Sequence, residues 1–189
     1  MGKVQVVPHN PIWHSLFEQE AHQISTSLGS IFKEIHHIGS TAIPDIYAKP
    51  IVDLLVIVEN ISAVDAKSSE MVLLGYEVMG EYGISGRRYF RKANIQSVRT
   101  YHVHAFERDT EPVKRHVLFR DYLIAHPHAA QQYSDLKRQL AQQYPMDSRA
   151  YTIGKEQFVK DIVLAAECWQ KQLTSSDVKA LKQKQNKAI

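Results

Sequence analysis

At 189 residues and 21.6 kDa the chain can bury one sizeable core, and two independent domains are not expected, because single cores stop growing only near ~250 residues. Hydrophobic residues at 44% and charged residues at 23% exclude a collagen-like or wholly disordered chain. The net charge of +3 belongs mostly to the C-terminus, where five lysines stand against Asp177 alone from Lys171 to Ile189, so the basic pI is a weak argument for nucleic acid.

In chain order, Lys3 to Val7 reads as a short strand, and Asn10-Pro11 places a capping amide before a proline at the first helical position. A helix is expected to follow, with Ile12, Leu16, Phe17, Ile24 and Leu28 on one face and Gly29 as its stop. Ile35 to Ile38 reads as a strand ending at Gly39-Ser40-Thr41. Ile51 to Val58 is almost entirely β-branched or leucine, the pattern of a central strand covered on both faces, and only Asp53 interrupts it. A helix is expected over Ala63–Leu74, and strands over Arg88–Ala93 and Val98–Phe106. Helical patterns then run through Pro112–Ala125, Pro127–Tyr144 and Lys155–Gln172. Strands in the middle and helices in the C-terminal third predict an α+β architecture, a single domain over residues 1–172 that is helical from about 112. Residues 173–189 are polar and lysine-rich and are expected to be disordered.

The longest wholly apolar run, Leu54 to Val58, is far short of the ~20 residues that span a bilayer. No apolar signal core follows the N-terminus, and the one cysteine, Cys168, cannot form an internal disulfide. These features predict a cytoplasmic protein without a membrane partner.

A strand that ends in Gly39-Ser40 at a helix start offers backbone N–H groups and a hydroxyl to a phosphate. Asp53, a carboxylate inside an apolar strand, must be hydrogen-bonded, paired or coordinated. The plainer alternative is a turn at Gly39-Ser40 with Asp53 paired to Lys49 or an arginine. Between Gly86 and Arg120, nine Lys and Arg face Glu107, Asp109 and Glu111 only, a local excess that suits a phosphorylated small molecule better than a duplex.

The stretches His37-Ile38-Gly39-Ser40-Thr41-Ala42-Ile43-Pro44, Ala48-Lys49-Pro50-Ile51-Val52-Asp53 and His102-Val103-His104 resemble the GrpB-like proteins of the nucleotidyltransferase superfamily. So do Phe119-Arg120-Asp121-Tyr122-Leu123, His126-Pro127, Tyr133, Leu136-Lys137 and Tyr151-Thr152-Ile153-Gly154-Lys155, and the likeness covers Val6 to Trp169. Asp45 departs from the glycine usual after that proline. The resemblance implies a nucleotidyltransferase-like mixed sheet flanked by helices, with a helical C-terminal part. The Gly39-Ser40 turn, Asp53 and the basic stretch in one domain lead to the expectation that the chain binds a nucleotide or phosphorylated small molecule and transfers a nucleotidyl or phosphoryl group with a divalent metal (Mg²⁺, Mn²⁺ or Zn²⁺).

The wider superfamily places two carboxylates two residues apart on the strand that carries Asp53. Here the same-face neighbours are Ile51 and Leu55, so the second acid is missing and two-metal chemistry of the usual form is not expected. His102 and His104 share a strand face and could replace it, making Asp53, His102 and His104 the expected catalytic and metal-binding set. The competing expectation is that the histidines hydrogen-bond an anion or their surroundings with no metal. Gly39, Ser40, Thr41, Lys49, Arg88, Arg120, Tyr151 and Lys155 make the expected phosphate or nucleotide site. Arg87 and Arg88 alternate across a strand, so only one is expected to face the site and Arg88 is taken as that one, while Tyr151 and Lys155 share a helical face four residues apart. A non-catalytic phosphate-binding module that has lost the second carboxylate stands as the alternative to an enzyme, and nucleic-acid binding ranks last for want of any motif.

Overall fold

The first helix begins where its cap stands in the sequence. The Asn10 side-chain oxygen accepts the Ile12 N–H at 3.1 Å, Pro11 leads into the first turn, and α1 (Ile12–Leu28) ends at Gly29. The computed structural model describes residues 3–173. Helix α1 buries Trp13, Phe17, Ala21, Ile24 and Leu28, whereas Ile12 stays exposed because the apolar stripe is centred on Trp13 instead. Ahead of it, Lys3–Val7 is not a strand. Val7 makes only an isolated bridge with Ala48, and Val4 donates its N–H to the Pro145 carbonyl at 2.7 Å, so the segment is a strap across two loops.

One five-stranded sheet follows, built from β1 (Phe32–Ile38), β2 (Val52–Val58), β3 (Tyr76–Val78), β4 (Arg88–Ala93) and β5 (Arg99–Glu107) in the spatial order β1-β2-β5-β4-β3. Only β2 and β5 are parallel, and the other three pairings are antiparallel. A parallel pair needs a long crossover, and the chain between β2 and β5 supplies it as α2 (Ile61–Asp65), α3 (Ser68–Leu73), β3 and β4. The single helix expected over Ala63–Leu74 is thus two short ones, separated where Lys67 bonds back to the Val64 carbonyl at 3.0 Å.

Strand β2 is covered on both faces, as its composition requires. Val52, Leu54, Val56 and Val58 meet Trp13, Phe17, Ile24 and Leu28 of α1, while Leu55 and Ile57 lie with Ile38, Phe106 and Val113 on the other side. Each such fully buried aliphatic side chain contributes roughly 1.5–3 kcal/mol. Asp53 occupies the second face, at the end of the strand where this aliphatic layer stops.

The C-terminal part consists of α4 (Glu111–Ala125), α5 (Pro127–Gln143), α6 (Ser148–Gly154) and α7 (Glu156–Gln172). Helix α6 carries its own signal, because Asp147 Oδ1 accepts the Arg149 and Ala150 N–H groups at 3.0 and 2.9 Å. It also packs tightly: a Cβ added at Gly154 would fall 2.5 Å from Leu140 Cδ2, so glycine lets α6 close on α5 and brings Tyr151 and Lys155 beside it. Among the described residues no helix is long and apolar enough to cross a membrane. Apart from Leu173, the tail expected from residue 173 lies outside the described residues.

Candidate functional site

The parallel register of β2 and β5 sets Asp53 opposite His102 and Leu55 opposite His104, so both imidazoles share a sheet face with the carboxylate. His102 Nδ1 stands 3.1 Å from Asp53 Oδ1, and His104 Nε2 stands 3.9 Å from the same oxygen. Burial alone would raise the Asp53 carboxyl, but the hydrogen bonds and charges of His102 and His104 outweigh it and hold the group far below the usual carboxylate range. Gly39 closes the other side. Its φ is +70°, and a Cβ there would stand 2.3 Å from Asp53 Oδ2, so only glycine lets the turn approach the carboxylate.

The tautomers follow from the partners. Arg87 Nη1 lies 3.4 Å from His104 Nδ1, and a guanidinium can only donate, so Nδ1 of His104 accepts and its Nε2–H faces Asp53. His102 must place its proton on Nδ1 to meet the carboxylate, which leaves its Nε2 as a buried atom without a partner. This pattern does not fit the expected metal set. His102 Nδ1 is taken up by its hydrogen bond to Asp53 Oδ1, while His104 Nε2 stands 3.9 Å from that oxygen, beyond hydrogen-bond distance, so the three side chains are grouped around a proton. Among the described residues no group of three or more His, Cys, Asp and Glu could hold a metal ion. The three expected residues are together, as a hydrogen-bonded array.

Several phosphate-site expectations change. The turn after Gly39 is a single 3-10 turn (Ser40–Ala42), too short for a helix dipole, so attraction for an anion must come from side chains. Thr41 is buried and donates to the Ile51 carbonyl at 3.3 Å while accepting from His37 Nε2 at 2.9 Å; it fastens the turn to β2. Arg88 is a correction: it stands opposite Ala105, on the α1 face of the sheet, and grips Asp65 at 2.5 and 2.7 Å. Arg87 is the one beside the site. Its guanidinium lies 4.7 Å over the Tyr89 ring and donates to the Glu81 and Tyr82 carbonyls at 3.2 and 2.8 Å. Arg120 is buried, bound to Asp121 at 2.7 Å and to the His37 carbonyl at 3.0 Å, so it anchors the end of β1 and has little left for a ligand.

The basic stretch from Gly86 to Arg120 is largely neutralised in three dimensions. Arg88, Arg91, Lys92 and Lys114 pair with Asp65, Glu77, Glu20 and Glu111 at 2.5–3.2 Å. Cations without carboxylate partners lie instead across from Asp53, on the helical side. Lys49 Nζ is 4.2 Å and Lys155 Nζ 4.7 Å from the Tyr151 ring centroid, with Lys49 also 3.3 Å from Ser148 Oγ. Burial, then Lys155 and Arg99, push Lys49 down to about 8, and burial lowers Lys155. Tyr133, which lies near Ser40, is pushed up to about 12 by burial. These contacts bring Lys49, Tyr151, Lys155 and Ser40 into one neighbourhood. Sequence reading missed Arg87, Tyr89, Tyr133 as a site residue, and Lys137, which lies 4.4 Å over the Tyr133 ring. The signal for Lys137 was present, because Ala130, Tyr133, Lys137 and Leu140 form the buried stripe of α5 and a lysine is out of place there.

Known proteins share this architecture. The family model described as GrpB protein matches residues 3–164. The UPF0157 protein YqkA of Bacillus subtilis is 43% identical over 169 residues, 89% of this chain but 49% of that protein, so the chain spans about half of that relative's length. The crystal structure of conserved protein GrpB from Enterococcus faecalis, also 43% identical, superposes with a TM-score of 0.82 over 87% of this chain and 99% of that one. Terminal uridylyl transferase 4 from Trypanosoma brucei with bound dUTP, at 12% identity, gives 0.53 over 78% and 52%, a likeness of fold alone.

Proposed function

Because this chain belongs to the GrpB family and has a nucleotidyltransferase-like fold, we propose that it binds a nucleotide or another phosphorylated small molecule between the Asp53 end of β2 and the helical part. The phosphates lie toward Ser40, Lys49, Tyr151 and Lys155, and the reacting end toward Asp53 and His102. The observation that carries this reading is the pair of half-buried lysines at Tyr151 with no carboxylate partner among the described residues, facing a carboxylate–imidazole pair across the Gly39-Ser40 turn.

The chemistry that suits this arrangement is transfer of a nucleotidyl or phosphoryl group. Asp53 holds His102 in one tautomer, and the carboxylate–imidazole pair orients an acceptor hydroxyl for attack on phosphorus, its proton passing to solvent. The lysines stabilise the negative charge that builds on the phosphate oxygens and the leaving group. A second reading, binding without transfer, is favoured by one observation: Leu55, which stands where a second carboxylate would, is wholly buried in the apolar layer.

The test is incubation of purified protein with nucleoside triphosphates and Mg²⁺, Mn²⁺ or Zn²⁺, following release of phosphate or pyrophosphate, beside calorimetric binding to the wild type, Ser40→Val and Lys155→Ala. Binding that falls by about tenfold or more in both variants, ~1.4 kcal/mol each, supports the site. Turnover lost in His102→Gln identifies the enzyme, and binding without turnover identifies the module. Wild-type protein that binds no nucleotide overturns both.

A further inference from the structure

Between β3 and β4 the chain makes a tight loop, residues 80–86, that folds back over the sheet face carrying Asp53. Its three glycines and Tyr82 take positive φ, 59° at Gly80, 44° at Tyr82, 80° at Gly83 and 75° at Gly86. The loop is nevertheless firmly held. Arg87 donates to the Glu81 and Tyr82 carbonyls, the Glu81 carboxylate accepts the Gly86 N–H at 2.7 Å, and Ile84 packs against the layer of Leu55, Ile57, Phe106 and Val113. A left-handed backbone at a bulky residue costs stability, and Tyr82 recovers little of it by burial because 58% of the residue stays exposed. A strained, exposed ring that its surroundings hold in place calls for a reason outside the free fold.

What lies beneath the ring supplies that reason. Tyr82 stacks on Tyr89 at 5.3 Å between centroids and 24° between planes, and the Tyr89 ring meets His102 and His104 at 5.5 and 5.2 Å. Tyr82 is therefore separated by a single ring from the imidazole that is bonded to Asp53. Charge narrows the class of ligand: Arg87 stands 4.7 Å over Tyr89, and Arg91 and Arg99 also lie within electrostatic reach of it, so a cationic ring is repelled and an uncharged or anionic one is not. We propose that Tyr82 is the stacking platform for the acceptor of the transfer, an uncharged or anionic compound with a planar aromatic or heteroaromatic ring, whose hydroxyl is then directed to Asp53 and His102. This rests on the transfer reading above and adds the chemistry of its second ligand.

An acceptor held by its ring keeps its hydroxyl free to react. Stacked tyrosines present a flat surface with few side-chain torsions to freeze, so little conformational freedom is lost when a third ring joins them. The acceptor arrives from the β4 side and the phosphates from the helical side, so the two ligands do not compete for one surface. The strained backbone also separates a ligand role from a structural one. Asparagine takes up a left-handed backbone more readily than tyrosine, so Tyr82→Asn removes the ring and relieves the strain together.

The experiment is an NMR titration of protein labelled in its tyrosine rings, with adenosine as the heteroaromatic probe and ribose and choline as the ringless and cationic controls. It is run on the wild type, Tyr82→Phe and Tyr82→Asn, with a melting curve for each protein. Adenosine should shift the Tyr82 and Tyr89 ring signals, and ribose and choline should not. Tyr82→Phe should keep the affinity within about twofold, and Tyr82→Asn should lose about tenfold or more while melting no lower than the wild type. Undiminished adenosine affinity in Tyr82→Asn, shifts confined to other tyrosines, choline preferred to adenosine, or a lower melting point with unchanged affinity overturns the proposal. Tyr82→Gly is read the same way should the asparagine variant not fold. ATP binding that is lost in Ser40→Val and Lys155→Ala, with no adenosine at Tyr82, refutes this inference alone. A wild type that binds neither ATP nor adenosine refutes the transfer reading as well.

Discussion

The sheet side and the helical side of the proposed site are built on opposite rules. On the sheet side almost every polar atom is spoken for: Asp53 by His102, His104 by Arg87, His37 by Thr41, and the His37 carbonyl by Arg120. On the helical side Lys49, Lys137 and Lys155 have rings for neighbours and no carboxylate among the described residues. The sheet side is arranged to keep its own geometry, and the helical side to receive negative charge. Substitutions should therefore harm stability on the first side and binding on the second.

The largest effect is expected at Gly39. Gly39→Ala combines a left-handed backbone with a Cβ 2.3 Å from Asp53 Oδ2, and should destabilise the protein by roughly 2–4 kcal/mol in denaturant unfolding. An unchanged midpoint would mean that the turn and the carboxylate are not rigidly opposed. Next comes Arg120→Met, which strips a buried partner from Asp121 and from the His37 carbonyl and should cost about 2–4 kcal/mol with little change in phosphate affinity beyond what unfolding explains.

Acid should probe the same side. Burial pushes His37 from 6.5 down to about 4, so between those pH values the unfolded chain binds a proton that the folded chain refuses. Stability contributed by neutral His37 is intact above about 6.5 and lost as pH falls toward about 4. A His37→Gln variant, compared with the wild type across that window, should show a flatter loss. Smallest is Arg88→Gln, where the pair with a mostly exposed Asp65 should contribute only about 0–1 kcal/mol and nothing to ligand binding.

How much of this was legible in the sequence differs along the same division. The apolar run of β2, the alternation that puts His102 and His104 on one face and the cap at Asn10 are local patterns, and the structure keeps them. Strand β3 and helix α6 were missed because three and seven residues carry too little periodicity to stand out. Arg88 was preferred to Arg87 because alternation gives two phases, and only the pairing of Arg88 with Ala105 fixes which one applies. The basic stretch misled because its partners Glu20, Asp65 and Glu77 lie upstream of it in the chain. Lys49, Lys137 and Lys155 are about 90 residues apart at their first gap, so no window of sequence contains their cluster.

The most direct measurement is a crystal structure with a non-hydrolysable nucleoside triphosphate. It should show phosphate oxygens within hydrogen-bond distance of Lys49, Lys155 and Ser40, and the Asp53–His102 bond still made at its present 3.1 Å. Phosphates seated elsewhere, or an Asp53 pulled away from His102 to meet them, would contradict the division between a prearranged sheet and a charge-seeking helical side.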